Sequence, residues 1–188
     1  MCFSSFIRGN IYEKTVFIIS HTYEIHMYKM RTKCEQRKRR EMMNLAIICV
    51  GKIKEDYLQK GIEACIKTLR KSHKFEIIEL PDEKTPDGAS EKEEKRIKEL
   101  EGKKILEKIK DDDHVIALCI EGKLVNDIEW QKQVKRGQDR RCVFVIGGSL
   151  GLADVVVKRA NEKMSFSRMT FPHQLMRYML LEEISTLL

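Results

Sequence analysis

From Met43 onward, short apolar runs alternate with longer stretches in which apolar residues recur every third or fourth position. Leu45 to Gly51 (LAIICVG) is a continuous apolar run closed by glycine, the pattern of a strand buried on both faces. From Asp56 to about Ser72, Leu58, Ile62, Cys65, Ile66 and Leu69 mark one face of a helix. Phe75 to Leu80 (FEIIEL) predicts a second strand, stopped by Pro81. Residues 82–90 are rich in turn formers, and Ser90 followed by Glu93 predicts a helix opened by a capping box. That helix reaches about Lys110, with Gly102 inside it and an uneven stripe of Ile97, Leu100, Ile105, Leu106 and Ile109. Asp111-Asp112-Asp113 ends it.

His114 to Ile120 predicts a third strand, Asn126 to about Arg136 a short helix capped by Asn126 or Asp127, and Cys142 to Ile146 a fourth strand. Ala153 to Ala160 reads as helix and Met164 to Met169 as a fifth strand or extended segment. After Pro172, Met176, Leu180, Ile184 and Leu187 line a last helix. Strands and helices alternate throughout. The expected fold is α/β, a mostly parallel sheet with helices on both faces. No internal repeat or second core is visible.

Composition narrows this. With 42% hydrophobic residues among 188, the chain can bury a core, and 35% charged residues mark it as globular. No apolar run approaches the roughly 18 residues of a membrane span, so no membrane is expected. The net charge of +7 is uneven. Residues 1–42 hold nine basic and four acidic residues, including Arg37-Lys38-Arg39-Arg40, a candidate RNA-binding arm. The remainder is nearly balanced, so bulk charge does not make it a nucleic-acid binder. The other expectation for residues 1–42 is an extension outside the fold, with the natural start at Met42 or Met43. The six cysteines form no C-x-x-C pair, and three lie in or beside strand-like runs, which suits free thiols in a reducing compartment. The five histidines show no metal-ligand spacing, so no metal is expected.

In open parallel sheets, ligands bind beyond the C-terminal strand ends. Three ends stand out. Val143 to Gly151 runs from a buried strand into Gly147-Gly148-Ser149-Leu150-Gly151, where glycines let backbone approach a ligand or simply make a tight turn. It is neither G-x-G-x-x-G nor a P-loop. Ser165 to Gln174 crowds hydroxyls, Arg168 and two aromatics before a Pro-started helix, which reads as a pocket rim or as core and cap. Leu118 to Lys123 ends a strand in Glu121-Gly122-Lys123, which reads as a solvated turn. No G-x-S-x-G elbow or Cys–His pairing appears, and Glu182 and Glu183 read as solvent-facing. The three strand ends suit a polar, nucleoside-sized cofactor held through backbone groups. A flavodoxin-like nucleotide binder is a competing reading.

VFVIGGSLGL at Val143–Leu152 followed by SFSRMTFPHQLMR at Ser165–Arg177 resembles the ribosomal RNA large subunit methyltransferase H family, of the SPOUT superfamily. NLAIICVGKIKEDY at Asn44–Tyr57 and IIELPDEKTP at Ile77–Pro86 are similar to that family's opening regions. The likeness runs from about Met43 almost to the C-terminus, and residues 1–42 show none. It implies a C-terminal trefoil knot, S-adenosylmethionine as cofactor, and methylation of N3 of a pseudouridine in helix 69 of 23S ribosomal RNA. It also implies a homodimer acting on assembled ribosomes, hence in the cytoplasm. Carried over by motif, the cofactor contacts are Leu118, Gly147, Phe166, Ser167, Arg168, Met169, Thr170 and Phe171.

Methyl transfer depends on alignment, and an N3 nucleophile must also lose a proton. His173 and Arg177 are the nearest candidates to assist, with a helix-end contact and a phosphate or dimer contact as their alternative roles. Lys52, Lys54, Lys123, Arg168 and Arg177 are the candidate RNA contacts. Family members continue into a Tyr-His-basic tail, whereas the last helix here reads YMLLEEISTLL and stops at Leu188. The expectation is a C-terminally truncated methyltransferase domain over 43–188. The alternative function is a catalytically impaired relative that binds cofactor or ribosome without turnover.

Overall fold

The computed structural model describes residues 42–188, apart from Lys54 and Asp87. The basic run at 37–40 and the extension before the expected start at Met42 or Met43 lie outside the described residues, and so does Lys54. Among the described residues five strands form one sheet: β1 (Asn44–Val50), β2 (Lys74–Leu80), β3 (His114–Leu124), β4 (Arg141–Ile146) and β5 (Glu162–Ser165). Their order is β2-β1-β4-β3-β5, and every pairing is parallel. The helices are α1 (Asp56–Leu69), α2 (Glu91–Leu106), α3 (Asp127–Lys135), α4 (Asp154–Arg159) and α5 (His173–Leu187).

The strands are apolar at consecutive positions because both faces are covered. Leu45, Ile47 and Cys49 point to one layer, where α1, α3 and α5 supply Ile62, Leu69, Trp130, Val134, Leu180 and Ile184. Trp130 stacks on Phe144 there, with ring centres 6.2 Å apart. Ala46, Ile48 and Val50 point to the other layer, where α2 and α4 supply Ile105 and Val156. The period-two alternation of a strand thus splits one apolar run between two cores. The expected α/β architecture with helices on both faces is what forms.

Local signals hold at the helix starts. The Ser90 side chain accepts the Glu93 amide while the Glu93 carboxylate accepts the Ser90 amide, closing the capping box of α2. Asn126, rather than Asp127, caps α3 by accepting the Glu129 amide at 3.0 Å.

Three expectations are corrected. The charged helix α2 stops at Leu106, short of Lys110. The segment 121–123 is no solvated turn: β3 continues through it to Leu124, with a register break between Leu118 and Lys123 where it pairs with β5. Gly122 permits this, since a Cβ there would lie 2.5 Å from the Met164 carbonyl carbon, and a glycine inside a strand often marks such a bulge. Finally, β5 ends at Ser165, and residues 166–169 are not strand, because side-chain hydrogen bonds described below turn that segment. Among the described side chains of α5 the fully buried ones are Arg177, Leu180, Leu181 and Ile184, while Met176 is only half-buried.

Candidate functional site

Parallel pairing puts all five C-terminal strand ends on one side of the sheet. There a cleft of about 710 Å³ opens between the turn after β4, the bulged end of β3 and the segment leading into α5. Leu118, Ile146, Leu152 and Met164 give it an apolar floor.

The first wall is the glycine turn. Gly151 has φ +82°, a conformation open to glycine, and its amide donates to the Gly148 carbonyl at 3.1 Å. A Cβ on Gly147 would come within 2.5 Å of the Gly151 carbonyl carbon and 2.9 Å of the Leu152 nitrogen. The turn folds back so tightly that a side chain at 147 would pry it open.

The facing wall is the segment after β5. The Ser165 hydroxyl donates to the Ser167 carbonyl at 2.8 Å, and the Met169 amide donates to the Ser167 hydroxyl at 3.0 Å. Such short-range serine bonds compete with strand pairing and bend the backbone. The serines therefore shape the rim and do not cap α5, whose N-cap position is Pro172 and carries no side-chain cap bond. Leu118, Gly147, Phe166, Ser167, Met169, Thr170 and Phe171 all line the cleft. Arg168 does not; its guanidinium turns back to donate to the Ile120 carbonyl at 2.9 Å.

The two catalytic candidates part company. His173 lines the cleft at the first turn of α5 and packs against Gly51, where a Cβ would sit 3.0 Å from its Nε2. Arg177, one turn further on, has no exposed surface. Its guanidinium pairs with Glu79 and donates to the carbonyls of Val50, at 3.3 Å, and Gly51, at 2.8 Å. It closes off the end of β1 and is out of reach of RNA on this surface. With Gln174, whose amide donates to the Lys52 carbonyl at 3.2 Å, it fastens α5 to the β1–α1 turn.

Several lining residues escaped the sequence patterns. Lys98 arrives from α2, Asp154 and Val157 from α4, and Lys163 from β5. Only the three-dimensional approach of those elements brings them to the cleft, and no local signal marks them. Cys119, Ile120 and Glu121 also line it; they belong to the Leu118–Lys123 strand end singled out above, which bulges instead of turning. Burial, and next the Glu121 carboxylate, push the Cys119 thiol up, so it stays protonated and is a poor nucleophile. Among the described residues no group of three or more His, Cys, Asp or Glu is gathered as a metal ion would require.

The cleft's size lies within the roughly 300–1,000 Å³ of small-molecule sites. An apolar floor between two walls that expose backbone, with both signs of charge at the rim, suits a nucleoside carrying a charged tail.

A family model described as predicted SPOUT methyltransferase matches residues 43–185. The ribosomal RNA large subunit methyltransferase H 1 of Clostridium perfringens is 54% identical over 145 residues, covering 76% of this chain and 91% of the relative. Ribosomal RNA large subunit methyltransferase H of Bacillus pumilus is 54% identical over 146 residues, with the same shares covered. That of Bacillus cereus is 53% identical over 146 residues, again with 76% and 91% covered.

Proposed function

Because the chain belongs to the SPOUT methyltransferase family, we propose that the cleft binds S-adenosylmethionine and that its methyl group goes to large-subunit ribosomal RNA, at N3 of a pseudouridine in helix 69. The observation that carries this reading is the convergence on one cleft of the glycine turn with Phe166, Ser167, Met169, Thr170 and Phe171, two segments well apart in sequence. The names of the relatives support RNA of the large subunit as substrate. The pseudouridine, its N3 position and helix 69 follow from the family resemblance of the sequence. So do the homodimer, the knotted C-terminal segment and the cytoplasmic ribosome as workplace.

The residues present fit the cofactor. Leu118, Leu152 and Phe171 offer apolar surface to an adenine ring, and the Gly147–Gly151 turn brings main chain close to it. Asp154 and Glu121 place negative charge at the rim, opposite in sign to a sulfonium and an ammonium, while Lys98 and Lys163 suit a carboxylate. When bound, the cofactor supplies an electrophilic methyl group. The protein's task is then to align the nucleophilic nitrogen and accept the N3 proton. His173 is the cleft side chain whose ordinary range spans neutral pH, and this reading gives it that proton. Lys52, Lys123 and Arg168 lie exposed and contribute to the RNA-facing surface, Lys123 from an ion pair with Glu129.

Transfer of tritium from labelled S-adenosylmethionine to ribosomes lacking the modification tests the whole reading. Label should appear in 23S RNA at one nucleotide, and His173→Ala should lower kcat by about a hundredfold. Calorimetry showing no affinity for S-adenosylmethionine or its demethylated product would refute the cofactor assignment.

A further inference from the structure

Helix α2 is strongly charged, yet two of its three buried residues are Glu101 and Gly102. Glu101 is only 5% exposed, and glutamate is rarely buried unless partnered. Its Oε1 accepts the amide of Glu83 at 3.1 Å, in the loop that leaves β2. The rest of the carboxylate lies against the glycine turn after β4. A Cβ built on Gly148 would be 3.1 Å from Glu101 Oε2 and 3.2 Å from a methyl of Val50, the last residue of β1. Gly102 lets the helix come this close, since a Cβ there would meet the Ala153 Cβ at 2.7 Å. Lys104, on the same helix, pairs with the Glu83 side chain and holds the loop a second time.

β2 and β4 flank β1 in the sheet. The carboxylate of Glu101 therefore sits over the end of β1, between the loops that follow its two neighbours. Burial raises this carboxyl above the ordinary range, and the Glu83 amide is the first influence pulling it back. That hydrogen bond is the strongest compensation the buried group has, with the Lys104 ammonium adding a weaker attraction.

We propose that Glu101 is a positioning residue for the cleft: fixed by the Glu83 amide, its carboxylate is the surface on which Gly148 rests, and it sets the shape of the Gly147–Gly151 wall. It acts from behind, since Glu101 is not among the residues that line the cleft. Its effect on ligand affinity rests on the cofactor reading above; its effect on the turn does not.

Two variants separate shape from hydrogen bonding. Glu101→Gln keeps both the volume and an acceptor oxygen, whereas Glu101→Leu keeps the volume and loses the acceptor. In the free protein, amide exchange of Gly151, whose N–H closes the turn, should rise about tenfold in Glu101→Leu and stay near wild type in Glu101→Gln. By calorimetry, affinity for S-adenosylhomocysteine should fall about tenfold in Glu101→Leu and be retained in Glu101→Gln. If Glu101→Leu does not fold, Glu83→Pro removes the same hydrogen bond from the donor side and should give the same two effects relative to Glu83→Ala, which loses only the Lys104 pair and keeps the amide. Unchanged Gly151 exchange in Glu101→Leu or Glu83→Pro overturns the proposal. Glu101→Gln as damaged as Glu101→Leu also overturns it, because the acceptor would then not be what matters. A wild-type protein without affinity for the ligand defeats the cofactor reading and leaves the exchange measurement to decide on Glu101.

Discussion

Replacing Arg177 removes one guanidinium that serves a carboxylate and two main-chain carbonyls at once. Glu79 is 41% exposed, so water can take over its half of the pair. The carbonyls of Val50 and Gly51 lose a buried donor, and the side chain leaves a void. Arg177→Ala should therefore cost about 3 kcal/mol, near the lower end for a broken buried pair, as read by urea denaturation. A loss under about 1 kcal/mol would mean that water or a neighbour replaces the donor. A buried arginine is hard to foresee from sequence: spacing alone puts it on the apolar face of its helix, and its charge argues for the surface. His114 behaves differently. Burial, more than any neighbouring charge, holds its imidazole below the ordinary value of 6.5, while Glu162 pulls the other way. The unfolded chain thus binds this proton more readily than the folded one. The stability involved is complete above pH 6.5 and is lost as pH falls through the depressed folded value. Nuclear magnetic resonance should find the ring titrating below 6.5, and His114→Gln should flatten the acid limb of the stability curve.

At the scale of elements, Gly102 sets two effects against each other. An alanine in mid-helix gains about 1 kcal/mol of helix propensity over glycine. Here its Cβ would lie 2.7 Å from that of Ala153, which forces α2 and α4 apart, and overpacking costs about 1–3 kcal/mol. The clash should win, so Gly102→Ala should lower the thermal midpoint by a few degrees. The same substitution should also disturb the cleft, whose glycine turn lies just before α4. The sequence showed Gly102 only as a flaw in an amphipathic stripe, because a helix pattern carries no information about which partner must come close. Five strands, five helices and both caps were legible because each rests on residues adjacent in the chain. Seven of the eight residues carried over as cofactor contacts line the cleft because they lie in or follow three neighbouring parallel strands: Leu118 in β3, Gly147 after β4, and Phe166, Ser167, Met169, Thr170 and Phe171 after β5. Lys98, Asp154 and Lys163 were not legible, since each comes from a different element and none sits in a distinctive pattern. The bulge of β3 was half legible, through Gly122, but reading it as a turn missed the pairing with β5.

At the scale of the whole molecule, the two cores on either side of the sheet share the same strands, so they should be lost together. The described span should unfold in one cooperative transition, with fluorescence of Trp130, in one layer, and circular dichroism giving the same midpoint. A separate early loss of the α2–α4 layer would show that the sheet does not couple them. β4 is the middle strand, bounded by β1 and β3, and its residues Cys142 to Val145 are sealed from solvent. Asn44 is aligned with Arg141 across that seam, although most of the described chain separates them in sequence. A nascent chain emerging N-terminus first can join β1 to β2 early, but it has nothing to put on the other flank until β4 has been made. Long-range closures of this kind are slow. Synthesis must therefore run most of its course with one edge of β1 bare, an interval in which a chaperone, or a second nascent copy, has the same edge to grasp.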